Sequence, residues 1–314
     1  MLKYIFYVLL ILWFADPALC AFEDDFLGAK SVAMGGAYAA TADDVDGILA
    51  NPAGMNLIKN RQIIATAAAM YVGLTDESPI SQSILGYAHK HDGVGTMGLL
   101  WKRFDAGGLY SENILCLAIA RPFLFSLKRN EDENKEEDRR KNLFLGLAIN
   151  LMNWDSAPTI GTDGQVVEDL AGWSGFGFDL GITVWPSDNI PVALVLENIN
   201  TPNIASELSQ VIEELPLSTR MGVAAIGESI TWAMDLGLQE GQVDMKAGIE
   251  KRYKSNLILR TGFSLENLAW GTNLTFGVSY KPDESVRIDY AFVYPVNSVA
   301  GTLGSHRISF VYDF

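Results

Sequence analysis

The sequence predicts an all-β fold: a transmembrane antiparallel β-barrel of about 14 strands whose N-terminal segment folds into the lumen as a small helical plug. Three observations predict it: an export signal at the start, period-two alternation repeated along the chain, and an aromatic residue closing the last alternating segment. After the signal no stretch approaches the roughly 20 uninterrupted apolar residues of a spanning helix. A closed barrel is the other structure that satisfies its backbone hydrogen bonds in lipid.

The signal peptide is read over residues 1–20, with Lys3 as its positive start, Tyr4 to Phe14 as its apolar run, and Ala18 and Cys20 as the small residues before cleavage. Acylation of Cys20 is the lesser reading, because Leu19 stands where a lipidation signal wants a small residue. Cleavage near Ala21 leaves Cys116 as the one cysteine and excludes an internal disulfide. With 38 acidic against 23 basic residues the net charge is −15, which argues against nucleic acid as a partner. A hydrophobic content of 49% beside 29 glycines suits many short strands, each with one greasy face.

The clearest alternation lies at the C-terminus, where His306, Ile308, Phe310, Tyr312 and Phe314 interleave with Arg307, Ser309, Val311 and Asp313. One face suits lipid and the other a polar lumen. Phe310, Tyr312 and the terminal Phe314 resemble the C-terminal signature by which bacterial outer-membrane barrels are recognised for assembly, which implies a multi-pass location in the outer membrane. The same period places strands near 62–73, 81–90, 94–104, 112–121, 142–153, 174–185, 191–199, 218–227, 229–238, 242–252, 256–264, 272–281, 285–294 and 305–314. These form a barrel domain over 61–314. On this pattern Phe276 and Tyr290 face lipid, while an Arg at the lumenal Ser279 is expected to be mild.

Such barrels have short inner turns and longer outer loops. If the first strand rises from the periplasm, the connections 91–93, 186–190, 227–228, 253–255 and 282–284 are inner and short, while 154–173 and 201–217 are outer and long. The charged run at 128–141 is the exception, long and on the inner side; such runs are usually solvated. Ile204, Leu208, Val211, Ile212 and Leu215 have helical spacing, so loop 201–217 is expected to lay an apolar stripe, a candidate substrate groove, over the barrel mouth.

Residues 26–58, within the segment 21–60 read as the plug, lack the strand period and are rich in small residues. Asp43, Asp44, Asp46 and Gly47 suggest a calcium loop only superficially, because Ala42 and Ala53 would occupy its first and twelfth ligand positions. Gly28, Ala29, Ala33, Met34, Gly35, Gly36 and Ala37, followed by Asp43, Asp44 and the turn Asn51-Pro52-Ala53-Gly54, resemble the N-terminus of the FadL-like outer-membrane proteins, and especially their PorV/PorQ branch. The resemblance implies a hatch built on Gly28, Met34, Gly35, Gly36, Asp43, Asp44, Asn51, Pro52 and Gly54. It also implies a channel for hydrophobic small molecules such as long-chain fatty acids, working between outer-membrane lipid and the barrel interior. For the PorV/PorQ branch it implies instead a component of type IX protein secretion, with secreted proteins or secretion components as partners.

In the fatty-acid transporters of that superfamily an inward kink of the third strand opens the wall, and Gly93, Gly95 and Gly98 occupy the corresponding stretch here. They are candidates for a lateral gate; alternatively they relieve crowding against the hatch. A lumen polar network is expected from Asp179, Arg220, Asp235, Arg260, Arg287, Asp289 and Arg307, because buried charges are normally paired. The histidines His89, His91 and His306 show no metal-binding spacing; a lipase-type hydrolase would need a Ser brought to His89 or His306, and both are more simply read as residues near the barrel rim. No enzyme activity, metal or cofactor is expected.

Overall fold

The computed structural model describes residues 22, 27–74, 79–125, 141–160, 166–168, 172–206, 212–254, 256–266, 271–297, 299 and 301–314. The export signal, Leu208, Val211 and all of the charged run but its last residue lie outside them. Fourteen strands close into one antiparallel barrel: β1 (Arg61–Met70), β2 (Ile80–His91), β3 (Gly95–Ala106), β4 (Tyr110–Phe125), β5 (Lys141–Ser156), β8 (Trp173–Ser187), β9 (Ile190–Glu197), β10 (Ser218–Ile226), β11 (Ile230–Gln239), β12 (Gln242–Tyr253), β13 (Leu257–Glu266), β14 (Gly271–Tyr280), β15 (Val286–Pro295) and β16 (Ser305–Asp313). Two further short strands, β6 (Thr159–Ile160) and β7 (Val166–Glu168), pair within the connection between β5 and β8. That connection was expected to be a plain loop.

The alternation explains which side each residue takes. Phe276 is 51% exposed and Ile308 56%, whereas their neighbours Thr275 and Arg307 are buried against the lumen. An outward apolar row and an inward polar row, repeated strand after strand, are the solvent pattern of a barrel in lipid. The ends of β4 and β5 run beyond the expected 112–121 and 142–153, with pairing from Tyr110↔Ser156 to Phe125↔Lys141. The charged run hid the Phe125 and Lys141 ends, which it adjoins, because its composition reads as loop. Closure joins β1 to β16 from Gln62↔Asp313 to Ala69↔His306. The terminal Phe314 donates its amide to the Arg61 carbonyl at 3.0 Å and sets its ring edge-on to Tyr312, 4.7 Å between centroids.

The strand ends joined by connections 157–172 and 198–217 lie at one end of the barrel, as antiparallel order requires, and this is the end that the sequence reading places outside. Inside the barrel lies the N-terminal segment, formed by α1 (Ala29–Ala33), α2 (Gly47–Ala50) and a 3-10 turn at Pro52–Leu57. Its side chains make the core: Val45, Ile48 and Met55 are fully buried with Ile64, Ile84 and Leu100 of the wall. This inverts the usual soluble order, since the interior is a mixture of small apolar groups and polar anchors while the large apolar side chains look outward.

Candidate functional site: the plugged lumen

The wall carries glycines where the N-terminal segment touches it. Gly146 on β5 pairs with Gly181 on β8, and Gly248 on β12 pairs with Gly262 on β13. A Cβ at Gly146 would come within 2.2 Å of the Ala53 amide nitrogen, and one at Gly262 within 2.1 Å of the Gly35 nitrogen. The two pairs are therefore notches that admit plug backbone directly. At the second notch the plug itself turns on Gly35 and Gly36, whose φ angles of +68° and +79° favour glycine.

Polar side chains then fix the plug by its backbone. Asp235 accepts from the Tyr38 and Ala39 amides, each at 2.8 Å. Gln62 accepts from the Val45 amide at 2.8 Å, Ser309 accepts from Ala29 at 2.8 Å, and Thr275 donates to the Ala33 carbonyl at 3.1 Å. Asn51, fully buried, donates to the Ala39 carbonyl at 2.7 Å and to Thr183 Oγ1 at 2.8 Å while its oxygen accepts from the Ala53 amide at 3.0 Å. One side chain thus ties two parts of the plug to β8. Such backbone anchoring is needed because short helices leave many amides and carbonyls without partners.

The plug's acidic residues are organised within it. Asp46 accepts from both the Gly28 amide, at 2.7 Å, and the Ser31 hydroxyl, at 2.7 Å. Burial, and then the nearby Asp44 charge, raise its carboxyl to about 6 against the pull of those donors. The Tyr38 hydroxyl shares its one proton between Asp43 at 3.0 Å and Asp44 at 2.9 Å. Burial first, then the neighbouring carboxylates, hold its phenol well above the usual range and keep it a donor. Lys30 pairs with Asp43, and Asp44 with Arg287 of the wall. Met34, Pro52 and Gly54 are buried in the same body, Gly54 against Ala42.

The expected lumen charges fall into separate clusters. Arg260 reaches Glu250 at 2.8 Å and Asp289 at 3.7 Å; Arg287 reaches Asp289 at 2.8 Å; and Ser279 bridges Arg260 to Asp289. Elsewhere Arg220 pairs with Glu197 at 3.3 Å, while Asp179 accepts from Asn150 at 2.5 Å and from the Asn198 amide at 2.9 Å. Arg307 donates to the Leu27 carbonyl. Ser279 is wholly buried, so the expectation that an Arg there is mild is overturned: the added side chain would enter a filled ion network.

At the outer end, connection 198–217 turns inward. An antiparallel bridge joins Asn203 to Glu214, Ile204 donates its amide to the Glu213 carbonyl at 2.7 Å, and Trp154 Nε1 donates to the Ile204 carbonyl at 2.9 Å. Ile204 and Leu215 are buried beneath it while Ile212 is 73% exposed. The described residues on either side, 201–206 and 212–217, are not helical as the spacing predicts but are joined by this bridge, with Ile204 and Leu215 inside and Ile212 outside. Beneath this cap lies a cavity of about 70 Å³ lined by Phe22, Leu215, Arg220, Asp235 and Lys246, among others. A second cavity, of about 90 Å³, lies on the inner side of the plug.

The three candidate gate glycines do not open the wall. β3 pairs with β2 from Ile80↔Ala106 to His91↔Gly95 and with β4 from Thr96↔Ala120 to Ala106↔Tyr110 without a register shift. A Cβ at Gly98 would meet Ile48 and Met55 of the plug at 2.5 and 2.8 Å. Gly93 lies in the turn and Gly95 opens the strand, at φ +80° and +114°. Crowding against the plug is therefore met at Gly98, and positive φ at Gly93 and Gly95.

A closed, fourteen-stranded antiparallel barrel with an apolar outer surface and a filled lumen defines the class: a β-barrel of the kind that spans bacterial outer membranes, with the architecture of the FadL-like barrels. Among solved structures it is similar to the toluene transporter TbuX of Ralstonia pickettii, at 15% identity and a TM-score of 0.62 over 93% of this chain and 100% of that one. The toluene transporter TodX of P. putida gives 15% identity and a TM-score of 0.62, covering 91% and 98%. A FadL homologue of Pseudomonas aeruginosa gives 11% and 0.56, covering 92% and 98%. No family model and no curated protein matches the sequence.

Sequence reasoning missed the paired glycines, Gly146 with Gly181 and Gly248 with Gly262. Each sits at a lumen-facing place in a strand that the alternation identified, so a glycine on an inward row was the available signal. Gln62, Thr183 and Ser309 were also missed, because a neutral polar residue facing a lumen is unremarkable until the plug amide it meets is known.

Proposed function

We propose that this chain is an outer-membrane channel for small hydrophobic molecules, with residues 21–60 acting as its hatch. The observation that carries the reading is the plugged lumen, in which a segment of small residues is seated in wall notches and tied by individual hydrogen bonds. Each such bond contributes about 0.5–1.5 kcal/mol net, so one stretch of the plug can shift without unfolding the barrel. Cavities above and below the plug give a molecule a place on either side of that shift. The unbroken pairing of β3 favours passage through the lumen over a sideways exit at Gly93, Gly95 and Gly98.

The similar toluene transporters make monoaromatic hydrocarbons the first substrates to test, and the resemblance of the N-terminal motif to the FadL-like proteins adds long-chain fatty acids. The test is uptake of both classes in a deletion strain with and without the restored gene. Faster uptake of at least one class on restoration is expected; unchanged uptake of all of them overturns the assignment.

One observation favours a second reading. Among the described residues Leu109, Ile212 and Leu303, all in connections at the same end of the barrel, are the most exposed large apolar side chains, at 68, 73 and 69%. A PorV/PorQ-like barrel serving type IX secretion would use such groups to hold a protein partner. Co-purification in mild detergent of a stable secretion component, lost when the three residues become Ser, would support that role.

A further inference from the structure

The inner cavity carries a chemical signature that the plug and wall do not use. Three of the residues lining it, Thr41 of the plug, Trp185 of β8 and Thr231 of β11, each hold a buried polar atom with no hydrogen-bond partner among the described residues: two hydroxyl oxygens and an indole nitrogen. Buried polar groups in folded proteins are otherwise nearly always partnered. Three residues carrying such atoms thus line one cavity, with Thr231 only 6% exposed, so a small movement of these side chains would bring each orphan to a partner supplied from the cavity. Met34, Leu57 and Ile226 give the same cavity an apolar side.

Charge selects among partners. Lys30 and Asp43 line the cavity already paired with each other, and Arg252 pairs with Glu250 at 3.4 Å. An entering carboxylate would find no uncommitted cation in these pairs and would meet two acidic groups. A neutral hydroxyl fits instead, because its oxygen accepts from the indole N–H while its proton is donated to a threonine oxygen. At about 90 Å³ the cavity admits such a group with a short apolar body. We propose that this cavity is a binding site for small neutral alcohols or phenols on the inner side of the plug. Its place on a transport route rests on the channel reading; the binding itself does not.

Phenol and benzene, titrated separately into the full-length barrel in detergent, test this. Labelling with 5-fluorotryptophan gives a resonance for Trp185, assigned by its loss in Trp185→Phe. Phenol should shift that resonance saturably, and benzene should bind about 5-fold more weakly or not at all, the effect of one lost hydrogen bond. Thr231→Val and Thr41→Val, each nearly isosteric and each checked for heat-modifiable folding, should weaken phenol by a similar factor and leave benzene unchanged. Equal binding of the two rings, no saturable shift, or phenol binding indifferent to both threonine variants would overturn the site, the orphans then being met by water. Toluene uptake in cells reads the channel separately: uptake without a phenol shift removes the site and keeps the channel, whereas a phenol shift without uptake keeps the site and removes its place on a route.

Discussion

Gly146 and Gly181 face each other across β5 and β8, and the backbone of Pro52 and Ala53 fills the notch between them. A Cβ on Gly181 would approach Asn51 Oδ1 to 2.2 Å, so even alanine at this place displaces the residue that ties the plug together. The wall is shaped to the plug at backbone resolution, which makes the two parts separable by mutation.

Gly146→Val should therefore unseat the plug while the barrel still inserts, because the added atoms meet plug backbone and point away from the strand ladder. The expected outcome is normal heat-modifiable protein with raised ion conductance in planar bilayers. Conductance equal to wild type would show that the plug tolerates the intrusion.

Asp44 and Arg287 join plug to wall in a buried ion pair, and Arg287 also serves Asp289. Removing one partner of a buried pair leaves an uncompensated charge, at a cost of about 3–5 kcal/mol. Arg287→Met should lower stability by roughly that amount in urea unfolding of the reconstituted barrel, and adding Asp44→Asn should recover part of it. Additive losses in the double variant would mean that the two side chains do not act as a pair.

The strands were legible because lipid outside and polar groups inside impose a period of two on nearly every segment; Val286 to Tyr294 and His306 to Phe314 show it plainly. The plug motif was legible as a resemblance. The way the plug meets the wall was not, since that depends on register between strands distant in sequence, as with Asp235 and Tyr38. The flanks of loop 201–217 depart from the helix that the spacing suggests for a physical reason: the same spacing of apolar residues arises when a bridge from Asn203 to Glu214 buries Ile204 and Leu215 and leaves Ile212 outside. The glycines of β3 left two readings open in the sequence, because weak strand formers serve close packing against Ile48 and Met55 as well as they serve an opening.

Phe276→Arg places a charge on the lipid face and should cost about 2–4 kcal/mol if it lies near the midplane. Ser279→Arg should be no milder, since its hydroxyl lies between Arg260 and Asp289 in a buried network. Comparing the two variants in urea titrations of the reconstituted barrel checks both statements; a near-neutral Ser279→Arg would contradict the network.

Trp154→Phe keeps the ring and removes the donor that holds the Ile204 carbonyl. The loss should be about 1 kcal/mol, felt locally as faster amide exchange at Ile204 and Leu215, whose amides close the cap. Unchanged exchange at both would mean that apolar burial alone holds the loop.

The central claim is that the plug controls passage of hydrophobic molecules through the lumen. Asn51→Ala removes the side chain that binds Ala39, Ala53 and Thr183 at once. The direct measurement is initial uptake of labelled toluene and of a labelled long-chain fatty acid, in cells matched for surface barrel content, with amide exchange confirming that the plug has loosened. The account predicts that loosening speeds uptake of at least one of the two above wild type. A plug shown to be loosened, with uptake of both unchanged, would contradict it.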